Sequence, residues 1–202
     1  MKVLAISGSP RKNGNTVLLL NRALEGARSA GAEVELFSVA GKDIKGCDAC
    51  WACVKTGNCH IKDDVSPLHD LMVEADGIIF GTPIYFWGMT AQMKAIIDRS
   101  IAFARGERTL ANKVAGAVVV AGSLGMVDAL KDFAYYFAQR RMLPANTVCA
   151  YAREPKETGE MKGLLNDAYD LGRQMAALVE KGFEYPPEFI KGPGAFGVGE
   201  RR

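Results

Sequence analysis

The sequence of 202 residues has little net charge, a formal +2, and only two histidines. So small an excess of positive charge gives no reason to expect a nucleic-acid partner or an anionic membrane surface. The longest run of small apolar residues, at 114–121, falls far short of the roughly 20 residues that span a bilayer. The apolar run at the N-terminus stops at residues 7–10, too early for the core of a signal peptide. We therefore expect a soluble, cytoplasmic protein.

Several motifs of catalysis and nucleotide binding are also missing. The loop after the first apolar run lacks the Gly-Lys-Ser/Thr ending of a Walker A loop and the G-x-G-x-x-G pattern of dinucleotide-binding folds. The chain contains neither G-x-S-x-G nor H-E-x-x-H. The absence of acid–base machinery is typical of a protein in which a bound cofactor carries the chemistry.

Segments with strand-like and helix-like periodicity alternate along the chain. This alternation predicts a parallel α/β sheet with helices on both faces, and five strands fit the flavodoxin-like order 2-1-3-4-5. Ligands bind such sheets beyond the carboxyl ends of the strands, here after strands one, three and four. We expect one domain over 1–182, with a cysteine-rich loop at 41–63 and a tail at 183–202. The predicted strands are 2–7, 33–38, 77–81, 114–121 and 146–151, and the predicted helices are 16–30, 65–75, 90–103, 127–141 and 160–181.

A polar loop, SGSPRKNGNT at residues 7–16, joins the first predicted strand to the first predicted helix. Its glycines allow a tight turn that brings backbone N–H groups to an anion, and the helix N-terminus adds partial positive charge. This arrangement suits a phosphate monoester, although an ordinary polar turn with a helix cap is the alternative. The candidate ligands are Ser9, Arg11, Asn13, Asn15 and Thr16.

A second loop, GTPIYFWGM at residues 81–89, places three consecutive aromatic residues after the third predicted strand. A flavin ring is flat and largely apolar, so it favours stacking surfaces beside backbone hydrogen-bonding groups. Pro83 stiffens this loop and Gly88 permits close approach. The alternative is an apolar patch covered by a lid or by a second subunit.

Four of the five cysteines lie close together as Cys47-x2-Cys50-x2-Cys53-x5-Cys59. Thiolates are strong ligands for iron and zinc, and the two successive x2 spacings match the start of a ferredoxin cluster motif. A [4Fe–4S] cluster, a structural zinc ion and a thiol redox switch all remain possible at this point. Stable disulfides are unusual in a cytosolic protein.

Together, SGSPRKNGNT and PIYFWGMTAQMKAIIDR resemble the NADPH-dependent FMN reductase superfamily over roughly residues 1–150, and the four cysteines resemble those of its iron–sulfur flavoproteins. The resemblance implies FMN, with its phosphate at residues 9–16, and a [4Fe–4S] cluster on the four cysteines. It also implies homodimers or homotetramers that receive electrons from a carrier such as ferredoxin. The implied ring contacts are Pro83, Ile84, Tyr85, Phe86, Trp87, Gly88 and, on the loop at 121–126, Ser123.

The expected function is electron transfer between the cluster and FMN, with a small-molecule acceptor. One alternative is an NAD(P)H-dependent FMN or quinone reductase without a cluster. The other is a non-enzymatic protein that senses redox state through its cysteines.

We expect structural roles for the remaining polar residues. The pair at 63–64 fits a helix start, where acidic side chains complement the helix dipole. Arg99 is expected to form a structural pair, and His60 to be solvated or to support the cysteines. His69 is expected at the surface, and Cys149 in the apolar core.

Overall fold

The computed structural model describes residues 1–103 and 109–190. Its strands are β1 (Lys2–Ser7), β2 (Glu33–Ser38), β3 (Gly77–Tyr85), β4 (Gly88–Met89), β5 (Val114–Ala121) and β6 (Leu143–Tyr151). Five of them form a parallel sheet in the order β2-β1-β3-β5-β6, which confirms the flavodoxin-like prediction. The short β4 was not predicted; it pairs antiparallel with the end of β3.

The helices pack on both faces of this sheet. They are α1 (Asn15–Ser29), α2 (Ala52–Thr56), α3 (Val65–Glu74), α4 (Ala91–Arg99), α5 (Met126–Gln139), α6 (Lys162–Lys181) and α7 (Pro187–Ile190). Two 3₁₀ turns lie at Ser100–Phe103 and Glu157–Glu160. None of the helices in the described ranges combines the length and the apolar character needed to cross a membrane.

Successive residues of β1 point to opposite faces and so enter two separate cores. Val3 and Ala5 pack in the cluster that α1 and α6 cover. Leu4 and Ile6 pack in the cluster beneath α3, α4 and α5. Every residue of β5 is buried as well. Burial on both faces explains why these strands read as continuous apolar runs in the sequence.

Two glycines bring α1 and α6 into backbone contact. A Cβ on Gly26 would lie 1.9 Å from the Tyr169 carbonyl oxygen, and a Cβ on Gly172 would lie 1.8 Å from the Ala23 carbonyl oxygen. Such distances leave no room for any side chain at either position. The two helices therefore form one tightly packed layer on their face of the sheet.

The structure differs from the sequence prediction at several element boundaries. Strand β3 continues to Tyr85, four residues beyond the predicted end, and Pro83 lies in register with Val120. Proline and the aromatic run indicated a loop because proline cannot donate to a strand ladder. The predicted loop at 41–63 contains the single turn α2.

The described part of the predicted tail packs on its own chain. The Tyr185 N–H donates to Asn112 Oδ1 at 2.9 Å, and the Arg141 side chain donates to the Phe189 carbonyl. Helix α7 lies in this segment. The rest of the tail, 191–202, lies outside the described residues, so the domain division at 182 stays a prediction.

Two single-residue predictions were wrong. His69, expected at the surface, is 4% exposed and meets the edge of the Phe103 ring at 4.9 Å. Cys149, expected in the core, is exposed, whereas Val148 and Ala150 on either side of it are buried. Strand β6 forms an edge of the sheet, and Cys149 points away from the face that its neighbours cover.

Candidate functional site

The loop between β1 and α1 is fastened to the neighbouring strand and helix. The Gly8 N–H donates to the Gly81 carbonyl at 2.7 Å, and the Thr90 hydroxyl donates to the Gly8 carbonyl at 2.7 Å. A Cβ on Gly8 would lie 2.7 Å from the Met93 Cβ, so glycine is required for this close approach. These contacts fix the polar loop at the carboxyl edge of the sheet.

The N-terminus of α1 lacks a side-chain cap. Gly14 occupies the cap position, and the first turn contains no acidic residue. The N–H groups of this turn therefore keep the partial positive charge that attracts anions. Ser9 and Thr16 are almost fully buried beside it, and the Ser9 hydroxyl accepts the Arg11 N–H at 3.2 Å.

Asn15 has a role that the sequence did not predict. Its Nδ2 donates to the Glu154 carbonyl at 2.8 Å, and its Oδ1 accepts the N–H and the hydroxyl of Thr158 at 3.2 and 3.1 Å. This side chain therefore ties the start of α1 to the segment after β6. Most of its hydrogen-bonding capacity is used inside the protein.

Most of the predicted ligand-binding residues line one cavity of about 410 Å³ at the carboxyl edge. Its volume falls in the range of roughly 300–1,000 Å³ that is usual for small-molecule sites. Asn13, Phe86, Trp87 and Gly88 are absent from its lining. The predicted residues that do line it are Ser9, Arg11, Asn15, Thr16, Pro83, Ile84, Tyr85 and Ser123.

Tyr85 lines the cavity but Phe86 and Trp87 do not, because a tight hairpin joins β3 to β4. Tyr85 pairs with Gly88, and Phe86 and Trp87 form the turn with left-handed φ values of 48° and 64°. Asn-Gly is the usual pair in such a turn, and a left-handed conformation costs other residues roughly 1–2 kcal/mol each. Phe86 is 94% exposed, and its ring meets the edge of the Trp87 ring at 5.3 Å.

The loop after β5 packs against this hairpin. Gly125 has a φ of 96°, and a Cβ there would lie 2.5 Å from the Trp87 Cα. Only glycine satisfies both conditions. This close contact holds Ser123 at the cavity wall.

Arg153 is a cavity residue that the sequence prediction missed. It follows β6, and its Nε donates to the Gly122 carbonyl at 2.8 Å. The sequence prediction placed the site in the loops after strands one, three and four. Applying the same carboxyl-end rule to the fifth strand would have identified it.

The four loop cysteines differ in exposure. Cys47 and Cys50 are exposed, Cys59 is intermediate and Cys53 is buried. In the described ranges, the group of possible metal ligands whose donor atoms lie within 4.8 Å of one another is Asp48, Cys50 and His60. The four sulfur atoms are not gathered to that distance.

Cys53 interacts electrostatically with the other three thiols of the loop. Burial raises the pKa of Cys53, and electrostatic interaction with the three neighbouring thiol groups of the loop raises it further. Such mutual repulsion favours a shared cation, since it disappears when a metal centre binds all four sulfurs.

A buried ion pair lies where the two ends of the cysteine loop meet. The guanidinium of Arg99 and the carboxylate of Asp63 lie 2.5 Å apart, with both side chains fully buried. Asp63 also accepts the N–H groups of Lys45 at 2.9 Å and Val65 at 3.1 Å. The expected structural pair of Arg99 is therefore present. Asp63, however, serves the loop more than the dipole of α3.

Known proteins resemble this chain over most of its length. The model of the NADPH-dependent FMN reductase family matches residues 1–154. An iron–sulfur flavoprotein of Archaeoglobus fulgidus is 32% identical over 189 residues, which cover 93% of this chain and 84% of that protein. The chain belongs to the iron–sulfur flavoproteins of the FMN reductase family. The resemblance found in the sequence is thereby confirmed.

One further comparison supports this family in sequence, and another shows the same fold. An iron–sulfur flavoprotein of Methanocaldococcus jannaschii is 48% identical over 123 residues, which cover 61% of this chain and 63% of that protein. The shared region is thus less than two thirds of that relative's length. A flavodoxin from the domain Archaea has the same fold, with a TM-score of 0.59, 19% identity and coverage of 89% of this chain and 99% of the other.

Proposed function

We propose that this chain is an FMN-dependent oxidoreductase that passes electrons between a [4Fe–4S] centre on the cysteine loop and FMN in the cavity. When bound, FMN supplies one- and two-electron chemistry, and an iron–sulfur centre supplies one-electron chemistry. The observation that carries this proposal is the cavity at the carboxyl edge. One end of the cavity is polar and lies at the uncapped N-terminus of α1, and the other end is apolar. Ferredoxin or NAD(P)H is the proposed donor, and a small molecule such as a quinone is the proposed acceptor.

The polar end of the cavity has the donors that a phosphate needs. The hydroxyls of Ser9 and Thr16 and the guanidinium of Arg11 would bind the phosphate together with the first-turn N–H groups of α1. Asn15 would act indirectly, because it holds the start of α1 in place.

The other end of the cavity offers flat and apolar surface. Pro83, Ile84 and the half-exposed ring of Tyr85 would orient a flavin ring along the end of β3. Ser123 lies on the opposite loop, which Gly125 holds against the hairpin. These residues would exclude water from one face of the ring.

The donor set of the cysteine loop fits an iron–sulfur centre. Four thiolates within thirteen residues are the ligands that such a centre takes. Cys47 Sγ already accepts the Ala49 N–H at 3.4 Å, and Ala49 and Trp51 both have left-handed backbone. We infer that metal binding draws the four sulfurs inwards around the buried Cys53.

The deciding experiment measures iron, acid-labile sulfide, zinc and FMN per chain after anaerobic purification. About four irons and four sulfides beside one FMN would support the proposal. We expect Cys53→Ser to lose iron and sulfide but keep FMN, because the cavity is separate from the loop. Cys149→Ser is the matched control and should keep all three. Zinc in place of iron and sulfide would refute the cluster, and a chain without FMN would refute the whole proposal.

The second candidate is an NAD(P)H-dependent FMN or quinone reductase without a cluster. It is favoured by the observation that the four sulfurs are not gathered within 4.8 Å of one another. An iron-free chain that reduces quinones with NAD(P)H as fast as the anaerobic protein would establish it. A non-enzymatic redox sensor would instead lack both tight FMN binding and turnover.

We also infer that a second copy of the chain covers the aromatic hairpin. Phe86, Trp87, Leu124 and Val127 are all more than half exposed, and they lie on the hairpin, the adjoining loop and the start of α5. Large apolar patches of this kind are typical of protein interfaces. This inference agrees with the homodimer or homotetramer that the family resemblance implies.

A further inference from the structure

Arg99 is a buried cation at the end of α4, only 1% exposed. Its Nη1 donates to the Lys45 carbonyl at 3.1 Å and to Asp63 Oδ2 at 2.5 Å. Its Nη2 donates to the Ile61 carbonyl at 3.2 Å. Lys45 precedes the first of the four cysteines, and Ile61 and Asp63 follow the last. One guanidinium therefore holds both ends of the cysteine loop.

The same guanidinium lies close in the chain to the last cysteine, because Ile61, whose carbonyl accepts its Nη2–H, is two residues after Cys59. The Nε–H of Arg99 is buried and has no hydrogen-bond partner. A buried donor without an acceptor is unfavourable, so this part of the protein favours an additional electron-rich atom near the guanidinium.

We propose that Arg99 is a positioning residue for the cysteine loop, and that its guanidinium donates a hydrogen bond to the Cys59 sulfur and so raises the reduction potential of the centre bound there. The proposal rests on the proposed function, because it requires an iron–sulfur centre on Cys59. Reduction adds one electron to that centre and makes it more negative. A fixed positive charge and an N–H donor beside a ligand sulfur stabilise the reduced form more than the oxidised form.

The shape of arginine is needed as well as its charge. The guanidinium is planar and directs N–H groups along fixed directions, which lets one side chain reach acceptors on both sides of the loop. A lysine ammonium is a point charge on a flexible stem and cannot reproduce this fork. Arg99→Lys therefore keeps the charge while it removes the clamp, whereas Arg99→Gln removes both.

The first measurement is the midpoint potential of the anaerobically reconstituted full chain. The chain is titrated with dithionite, and electron paramagnetic resonance monitors the reduced centre. We expect Arg99→Gln to lower the reduced-to-oxidised ratio at a fixed potential about tenfold, which corresponds to about 59 mV for one electron. Arg99→Lys should lie between Arg99→Gln and the natural protein. Lys94→Gln is the control, because Lys94 lies on α4 in an exposed pair with Asp98. Equal potentials in all four proteins would overturn the proposal.

The second measurement does not need the metal. Hydrogen exchange of the backbone amides at 45–63, in the FMN-bound chain without iron, reports whether the loop is clamped. We expect at least tenfold faster exchange there in both Arg99 variants, with no change in Lys94→Gln or at the amides of α6. Unchanged exchange in the loop would overturn the positioning role. If the natural protein binds no iron but the loop still exchanges faster in the Arg99 variants than in the natural protein, the proposed cluster is refuted and the clamp stands.

Discussion

At the scale of single residues, Arg11 is the charge that we propose to contact the phosphate of FMN. Both Arg11 and the neighbouring Lys12 are exposed, but only Arg11 lines the cavity beside the uncapped start of α1. Two adjacent cations of equal charge therefore have different surroundings. This difference separates a specific contact from general electrostatic attraction.

We expect Arg11→Ala to weaken FMN binding about tenfold to a hundredfold. A hydrogen bond to a charged group contributes roughly 1.5–3 kcal/mol, which gives a change of that size in Kd. The measurement is quenching of FMN fluorescence on titration of the FMN-free chain. Lys12→Ala should change Kd less than threefold at physiological salt. Equal losses in the two variants would contradict a specific phosphate contact.

The buried Asp63 links the stability of the cysteine loop to pH. Burial alone would raise its pKa, but the hydrogen bond from Arg99 and those from the N–H groups of Lys45 and Val65 lower the pKa below its ordinary value of 3.8. A folded-state pKa below the unfolded one means that ionised Asp63 stabilises the protein at pH values above about 4. This contribution is lost as the pH falls through the folded-state pKa.

We expect Asp63→Asn to lower the free energy of unfolding by about 3–5 kcal/mol at pH 7, because it leaves the Arg99 charge buried and unpaired. The difference from the natural protein should begin to shrink below about pH 4, where Asp63 of the unfolded chain becomes protonated, and should be lost as the pH falls through the lower folded-state pKa. Urea unfolding of the iron-free chain between pH 3 and pH 7 measures both effects. Asp98→Asn breaks an exposed pair with Lys94 and should cost less than about 1 kcal/mol. A difference that stays constant with pH would count against this account.

Sequence reasoning placed the polar loop between β1 and α1, where the structure has it, but did not predict the surroundings of several side chains. The position of Ser9, Arg11 and Thr16 follows from the order of strand, glycine loop and helix, which the sequence displays directly. The outward direction of Phe86 depends on a left-handed φ in the turn, which aromatic residues rarely adopt and the sequence does not reveal. The burial of His69 depends on how α3 meets the turn after α4, a tertiary contact without a local signal.

At the scale of secondary-structure elements, the contact of α1 with α6 is the tightest in the described parts of the fold. Gly26 and Gly172 let the two backbones meet without side chains between them. Helix α6 also contains Gly163, around which a Cβ would meet nothing within 4 Å. The same substitution at two positions of one helix can therefore have opposite effects.

We expect Gly172→Ala to destabilise the protein by about 3 kcal/mol or more, because the added methyl group would meet backbone that cannot move aside. Gly163→Ala should stabilise it by up to about 1 kcal/mol, the difference in helix propensity between the two residues. Chemical unfolding followed by circular dichroism gives both values. Similar effects at the two positions would show that α1 and α6 are further apart than described.

The order of the elements was predictable from the sequence, and their ends were less so. Apolar runs separated by helical periodicity led to the correct sheet order. The hairpin of β3 and β4 was missed because Pro83 is uncommon where a strand continues, and Phe86-Trp87 is not a usual pair in a tight hairpin turn. Single turns such as α2 carry too few residues for a periodic signal.

At the scale of the whole molecule, one group of exposed apolar residues lies at the ligand end. The turn residues Phe86 and Trp87 lie beside the cavity, and Leu124 lies on the loop that packs against them. Phe189 is also exposed, but its carbonyl contacts Arg141 just before β6, at the opposite edge of the sheet. Introducing a charge at each of these two surfaces can therefore show which of them forms the contact between subunits.

We expect Phe86→Asp to shift the FMN-bound chain from an oligomer towards the monomer, because a buried carboxylate at an apolar interface is strongly unfavourable. Sedimentation velocity between about 1 and 100 µM measures the shift. Phe189→Asp introduces the same charge at the other edge and should leave the sedimentation coefficient unchanged. A natural protein that is monomeric throughout this concentration range would refute the inferred association.

Helix α4 acts as a spacer between the two proposed redox sites. Thr90, at its start, anchors the phosphate loop through Gly8, and Arg99, at its end, anchors the cysteine loop. Nine helical residues span about 13 Å, and this length is independent of the length of either loop. Insertions in the loops would therefore leave the separation of the two anchors unchanged. One residue added within α4 would rotate Arg99 by roughly 100° and detach the cysteine loop from its anchor while the phosphate loop stayed in place.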